Sequence, residues 1–387
     1  MKVLYISTPA FADCDFPLIK EYQRKGIDIT YLLLIAPFAL RSTLVDIKKI
    51  HNKTGIFPCT IYEEFKPYGK YMNLERFLVS TRTGQKIYHP GTIKSIYALD
   101  KFLRNNKFDI VHCDTYFRGF SKYLYGMLKN VVTTFHDPIP HVGAEKWDTF
   151  QTRKIVVDGS KGLVLLNKKQ LNEFCSQYDV DESEVLINRL GVYDNIKAFI
   201  EQDKVKWKEH NILFFGRITP YKGIEALCKA MMIVKKAIPD ATLTIAGGGK
   251  FDFDITPYKN LDYIEVINHY VGMQQLADLL FNCDFTVCPY TEATQSGVIM
   301  TSFALNKPVV ATDVGGLAEM VENGRTGVIV PPHDIQSLSD AIIRLLEDDS
   351  KVLQMSRYIE DDFSSGEKSW SAIADKYIEY YKYILEK

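Results

Sequence analysis

Residues 216–223, Gly-Arg-Ile-Thr-Pro-Tyr-Lys-Gly, carry the densest chemistry in the chain. An apolar run ends at Phe215-Gly216, Arg217 follows, a proline turn intervenes, and Lys222-Gly223 opens an amphipathic stretch. Two such cations, on a backbone loosened by Gly216 and Gly223, suit a diphosphate better than a single carboxylate. A lysine in a first helical turn opposes the helix dipole, and an anionic ligand there relieves the conflict. A surface turn with two solvated cations fits the same residues when they are taken alone.

A second constellation, CPYTEATQSGV at residues 288–298, takes a buried strand through a loop into a helix that opens near Ser296-Gly297. The backbone N–H groups of Gly297 and Val298 are unpaired at such a helix start, and small residues let a phosphate approach them. Glu292 upstream can accept from ribose or sugar hydroxyls, and Thr301 more weakly; a solvent-facing loop carboxylate is the plain alternative for Glu292. In the first half, VVTTFHD ends an apolar run on His136 and Asp137. His136 there can donate to a sugar hydroxyl or share charge in a transition state, while a structural strand-end histidine fits the same position. His141 invites a metal pair, but the intervening prolines break helical spacing and no carboxylate pattern completes a site, so no metal is expected. TIAGGGK at 244–250 departs from GxGxxG, lacks the acid expected downstream, and reads as a tight strand-to-loop turn.

The elements that must position these residues alternate along the chain. Apolar runs near residues 2–7, 27–34, 109–113, 131–136, 162–166 and 185–188 are separated by amphipathic stretches, the pattern of a parallel sheet covered on both faces. The polar stretch 188–210 reads as an interdomain linker. The alternation then restarts at Ile212 and predicts a second α/β domain. Residues 369–385 place Trp370, Ile373, Ala374, Tyr377, Ile378, Tyr381 and Ile384 at helical spacing and predict a long closing helix. Residues 41–90 mix basic and aromatic side chains with little periodicity. They read either as a functional connection or as a small helical insertion with a satellite aromatic core.

Composition bounds the partners. Of 387 residues 46% are hydrophobic and 25% charged, an ordinary globular balance. The net charge of −1 disfavours nucleic acid. It conceals an asymmetry: residues 1–200 hold 28 basic and 21 acidic residues, whereas 201–387 hold 19 and 27. A basic first half could rest on anionic lipid headgroups. Seven scattered cysteines without a CxxC pair predict free thiols in a reducing cytoplasm. No run is long enough to cross a bilayer. The N-terminus reads as a first strand instead of a signal peptide.

The order and spacing of GRITPYKGI, PYTEATQSGV and NKPVVATDVGGLAEMVENGRTGVIVPPHD resemble retaining glycosyltransferases of family 4, which have the GT-B fold. The start MKVLYIS, DIVHCD at Asp109 and TTFHD at Thr133 extend the likeness more loosely into the first half. The resemblance implies an α/β protein of two facing Rossmann-like domains with parallel sheets. Residues 1–195 would form the acceptor side and 196–368 the sugar-nucleotide side, with the helix of 369–387 returning to the first domain.

By position, the resemblance assigns Arg217 and Lys222 to the donor diphosphate and His136 to the transferred sugar. It gives Gly216, Gln295, Ser296, Gly297 and Val298 to the phosphate and sugar cradle, and Tyr270 and Val271 to the base. The family's glutamates, eight residues apart, fall on Ala293, beside Glu292, and on Thr301; the first-strand loop has Asp13 and Asp15 where paired glycines are usual. The activity implied is metal-independent hexosyl transfer, with retention, from a nucleotide diphosphate sugar to a saccharide or lipid-linked saccharide. The donor is expected in the UDP form, although the residues themselves leave the base open. No cofactor is implied, and the setting is polysaccharide synthesis in the cytoplasm or at the inner membrane face. A sugar nucleotide 2-epimerase of the same fold and a non-catalytic sugar-nucleotide-binding scaffold are the alternative readings.

Overall fold

The computed structural model describes the chain except for Phe38, Arg41, Thr43, Leu44, Gln85, Ile87, 116–124, Met127, Asp137, 139–146, Asn167, 201–208, Thr294 and Gln295. The predicted Asp137, His141 and Gln295 thus lie outside the described residues. The chain forms two compact units, the first from residues 1–191 and 370–387, the second from 192–369.

The first unit contains β1 (Lys2–Ser7), α1 (Ala12–Arg24), β2 (Asp28–Ile35), β3 (Gly55–Pro58), β4 (Phe77–Thr81), α2 (Pro90–Asn105) and β5 (Ile110–Cys113). It continues with β6 (Val131–Phe135), α3 (Trp147–Gly159), β7 (Gly162–Leu165), α4 (Leu171–Tyr178) and β8 (Val185–Ile187). The second unit follows with β9 (Asn211–Phe215), α5 (Ile224–Ala237), β10 (Thr242–Ala246), α6 (Thr256–Lys259), β11 (Ile264–Ile267) and α7 (Met273–Phe281). Then come β12 (Phe285–Cys288), α8 (Gly297–Ala304), β13 (Val309–Thr312), α9 (Leu317–Met320), β14 (Gly327–Val330), α10 (Ile335–Leu346) and α11 (Asp349–Glu360). The closing helix α12 (Trp370–Glu386) belongs to the first unit.

In the first unit eight strands lie in the order β3-β4-β2-β1-β5-β6-β7-β8, parallel except for the edge strand β3. Val3, Leu4, Tyr5 and Ile6 of β1 are buried, as a central strand covered on both faces requires. Two of these strands come from residues 41–90, so that stretch is not a purely helical insertion. It gives β4 to the sheet beside β2, and β3 turns back on β4 to finish the edge. Its aromatics do form a satellite core: Phe65, Tyr68 and Phe77 surround Phe16 of α1, with ring centroids 4.8–6.3 Å away. Strand β4 escaped periodicity because its buried positions mix an aromatic, an aliphatic and two hydroxyl residues, Phe77, Val79, Ser80 and Thr81, instead of an aliphatic run.

Helix α12 binds the first unit through its tyrosines, as the resemblance implied. The Tyr380 hydroxyl accepts from the Leu163 amide at 3.0 Å and donates to the Glu184 carbonyl at 2.7 Å. The Tyr381 and Tyr22 hydroxyls share a bond of 2.9 Å. Trp370, Ile373, Tyr377, Tyr381 and Ile384 are buried along one face, each contributing about 1.5–3 kcal/mol. A Cβ on Gly162 would meet the Tyr380 ring at 2.9 Å, so the helix seats directly on β7.

The second unit is a six-stranded parallel sheet in the order β11-β10-β9-β12-β13-β14. Counted from its own first strand this is 3-2-1-4-5-6, the doubly wound order in which the crevice opens where chain direction reverses. That switch point lies between β9 and β12, which pair in parallel register. Part of the predicted linker packs into this unit: Val192 and Ile196 are buried, and the Tyr193 amide donates to Met300 of α8. All seven cysteines are buried and free. Among the described residues no helix is long and apolar enough to cross a membrane.

Candidate functional site

The loops leaving β9 and β12 meet at the switch point of the second sheet. Gly216, with φ of 125°, turns the chain out of β9, and a Cβ placed on it would touch the Val298 side chain at 3.4 Å. The Thr291 amide donates to the Tyr221 carbonyl at 2.8 Å. Gly223, in the left-handed region at φ 65°, lets the backbone pass so close to Pro289 that a Cβ would lie 1.9 Å from its carbonyl oxygen. The two sequence constellations therefore form one surface.

Lys222 is the most perturbed cation there. It is 8% exposed, and its Nζ lies 3.5 Å from the centroid of the buried Tyr290 ring. Desolvation, reinforced by the nearby Arg217 charge, lowers its pKa to about 8. No carboxylate pairs with it among the described residues. Arg217 itself is exposed. A desolvated ammonium held against an aromatic face beside a guanidinium is a site for an anion of more than one charge.

Helix α8 starts at Gly297 with Ser296 as its N-cap residue, and the Ser296 side chain does not cap it. The first-turn amides of Gly297 and Val298 thus face the same crevice entrance as the β9 loop. Glu292 is exposed on the loop before them. Thr301 differs from its reading as a hydroxyl-binding residue: it is fully buried and donates to the Gly297 carbonyl at 2.7 Å, so its hydrogen is spent inside the helix. Tyr270 and Val271 lie on the loop between β11 and α7, with Tyr270 43% exposed. That loop abuts the triple glycine: a Cβ on Gly248 would sit 3.4 Å from the Tyr270 amide. Gly247 and Gly249 in turn press against Gly216 and Ile218, where Cβ atoms would come within 1.7 and 2.1 Å of carbonyl oxygens. The TIAGGG turn thus locks the Arg217 loop from behind.

In the first unit, His136 follows β6 directly. Its ring stacks on Phe11, centroids 3.8 Å apart and planes 8° from parallel, and its Nε2 lies 2.7 Å from Asp114 Oδ2. Asp114 follows β5, the strand paired with β6, so the two side chains issue from neighbouring strand ends. Sequence reading missed Asp114, Phe11 and Cys14; the signal was the common position of DIVHCD and TTFH at the ends of two apolar runs. Cys14, Asp114 and His136 each bring a donor atom within 4.8 Å of the others. The Cys14 thiol donates to the Phe11 carbonyl at 3.0 Å, and burial together with Asp15 and Asp114 pushes its pKa well above the usual thiol range.

Comparisons with known proteins follow the same division. Residues 209–348, inside the second unit, match the family of glycosyl transferases group 1. A D-inositol 3-phosphate glycosyltransferase of Paenarthrobacter aurescens is 31% identical over 208 residues, 50% of each chain. The chain thus spans about half the length of the curated relatives it matches. Among solved structures, a sucrose-phosphate synthase from Thermosynechococcus elongatus superposes with a TM-score of 0.65 at 17% identity over all of both chains. The Anabaena protein Alr3699/HepE, solved with UDP, gives 0.64 at 15% identity over 99% of this chain and 100% of its own. These likenesses establish the GT-B glycosyltransferase fold.

Proposed function

We propose that the protein transfers a hexosyl group from a nucleotide diphosphate sugar, in the UDP form, to a saccharide or lipid-linked saccharide hydroxyl with retention and without a metal. The observation that carries this reading is the desolvated Lys222 beside Arg217, facing the open start of α8 at the switch point of a doubly wound sheet. In the reaction the bond from the anomeric carbon to the β-phosphate oxygen breaks. The acceptor oxygen bonds to that carbon from the same face, and its proton passes to the leaving phosphate. The leaving diphosphate gathers negative charge, which Arg217, Lys222 and the Gly297 and Val298 amides stabilise more strongly in the transition state than in the ground state. No protein nucleophile is required. Gly216 and Ser296 shape the cradle, Gln295 belongs to it by position, Glu292 is the hydroxyl acceptor nearest the sugar, and Tyr270 and Val271 flank the base. His136 contacts the transferred sugar.

The acceptor side is the first unit, and its α2 supports a membrane-linked acceptor. Ile93 and Tyr97 are 59% and 67% exposed and continue the helical stripe of Lys101 and Arg104, with Lys94 beside them. Exposed apolar residues interleaved with cations suit an anionic bilayer surface.

Arg217→Ala and Lys222→Ala test the reading. Each is expected to lower nucleoside diphosphate release from the transferred sugar nucleotide by about 10²-fold or more while the circular dichroism spectrum stays unchanged. Near wild-type turnover in both variants would remove the assignment, and persistence of turnover in EDTA is expected.

A further inference from the structure

The polar cluster behind His136 is larger than one sugar contact needs. Asp114 is 3% exposed and Asp15 1% exposed. The two carboxyls share a hydrogen bond, and burial with the Asp114 charge drives the Asp15 carboxyl well above the usual carboxylate range. Asp15 and Asp114 thus meet through one hydrogen bond inside the unit. The Tyr31 hydroxyl donates to Asp15 Oδ2 at 2.9 Å. The hydrogen bonds run Tyr31, Asp15, Asp114, His136.

A carboxylate in that position decides which imidazole nitrogen carries the hydrogen. We propose that Asp114 is the positioning residue of His136: it accepts the Nε2 hydrogen, fixes the ring in that tautomer, and leaves Nδ1 to accept a hydrogen bond from a hydroxyl of the transferred sugar. Phe11 fixes the ring plane by stacking, so position and tautomer are set by different groups. Asp15 holds the Asp114 carboxylate in its rotamer, as the outer partner of a metal-bound or catalytic histidine does elsewhere. The inference deepens the proposed function, since it rests on His136 meeting the sugar.

Two measurements separate this inference from the reading beneath it. The first is ¹⁵N NMR of the full chain labelled at histidine, which needs no substrate. The His136 resonances, identified by their loss in His136→Gln, are expected to show a protonated Nε2 and an unprotonated Nδ1. Asp114→Ala should convert them to exchange between tautomers. Asp114→Asn, whose carbonyl can still accept, should restore the wild-type pattern, and Asp15→Asn should keep it because an amide still donates to Asp114. A protonated Nδ1 in the wild type, or an Asp114→Ala spectrum like the wild type, overturns the inference.

The second measurement uses UDP release from whichever UDP-hexose the wild type turns over fastest. Asp114→Ala is expected to lower kcat at least about tenfold with UDP affinity unchanged, and Asp114→Asn to recover most of it. Loss of UDP affinity equal to the loss of kcat would mark a structural role and overturn the proposal. Full activity of His136→Gln would instead sink the sugar contact itself, whatever the tautomer.

Discussion

Lys222 offers a quantitative test of the proposed donor site. With a pKa of about 8 in the free protein, the ammonium is about 90% protonated at pH 7 and about 10% at pH 9. A diphosphate beside it supplies the opposite charge that burial withholds and raises that pKa again. Binding therefore takes up a proton, and affinity must fall as pH rises through 8. Because the competent protonation state shrinks about tenfold between pH 7 and 9, the dissociation constant for UDP should rise by about that factor. At pH 8 each binding event should take up about half a proton. Isothermal titration calorimetry with UDP, in buffers of different ionisation enthalpy, reads both quantities. Lys222→Arg supplies the control, since a guanidinium stays charged across the range and can still stack on Tyr290. A wild-type affinity constant from pH 7 to 9, or one that falls equally in Lys222→Arg, would refute the reasoning.

The same desolvation makes Lys222 a cost to the fold, because the unfolded chain holds the proton more tightly between pH 8 and the ordinary lysine range. Lys222→Met should therefore raise the stability of the ligand-free protein at pH 7 by on the order of 1–3 kcal/mol, measured by urea denaturation, while UDP binding is lost. Gly223→Ala must find room for a Cβ 1.9 Å from the Pro289 carbonyl at a positive φ; it should destabilise the second unit by more than about 1 kcal/mol and weaken UDP binding, as calorimetry would show. Tyr380→Phe leaves the Leu163 amide and Glu184 carbonyl without their partner, and a loss of about 1–3 kcal/mol is expected in chemical denaturation. Replacing Ile93 and Tyr97 together with Ser should abolish co-sedimentation with anionic vesicles at low salt; unchanged sedimentation removes the membrane contact.

The second unit was the more legible one. Its strands are continuous apolar runs such as ILFF and VVAT, each ended by glycine, proline or a polar turn, so the period of the pattern and the doubly wound order agree. The β9 and β12 loops could be brought together through the family resemblance, because the cations, glycines and helix start read in them all suit an anion. Thr301 could not be read, since a threonine inside a helix faces inward or outward with equal chemical plausibility and only the α8 back-bond decides it. Residues 41–90 concealed β3 because an edge strand four residues long leaves no period to detect, and β4 because hydroxyl residues fill half of its buried positions. Asp114 stayed hidden for another reason. Its partner is 22 residues away, and only the pairing of β5 with β6 makes them neighbours.

The first unit is assembled from two separated lengths of chain. Gly191, where the chain leaves that unit, lies flush against Trp370, where it returns: a Cβ on Gly191 would meet the indole at 2.7 Å. The second unit is thus a closed loop in the topological sense, entered and left at a single point. An unfolded loop of that length would pay for its closure entropically before α12 could dock. A second unit that is already folded shortens the loop to the distance between its own ends. The same geometry makes the junction a natural splice point. A short linker from Gly191 to Trp370 would span it without stretching β8 or α12, and the first unit could be produced as one continuous chain.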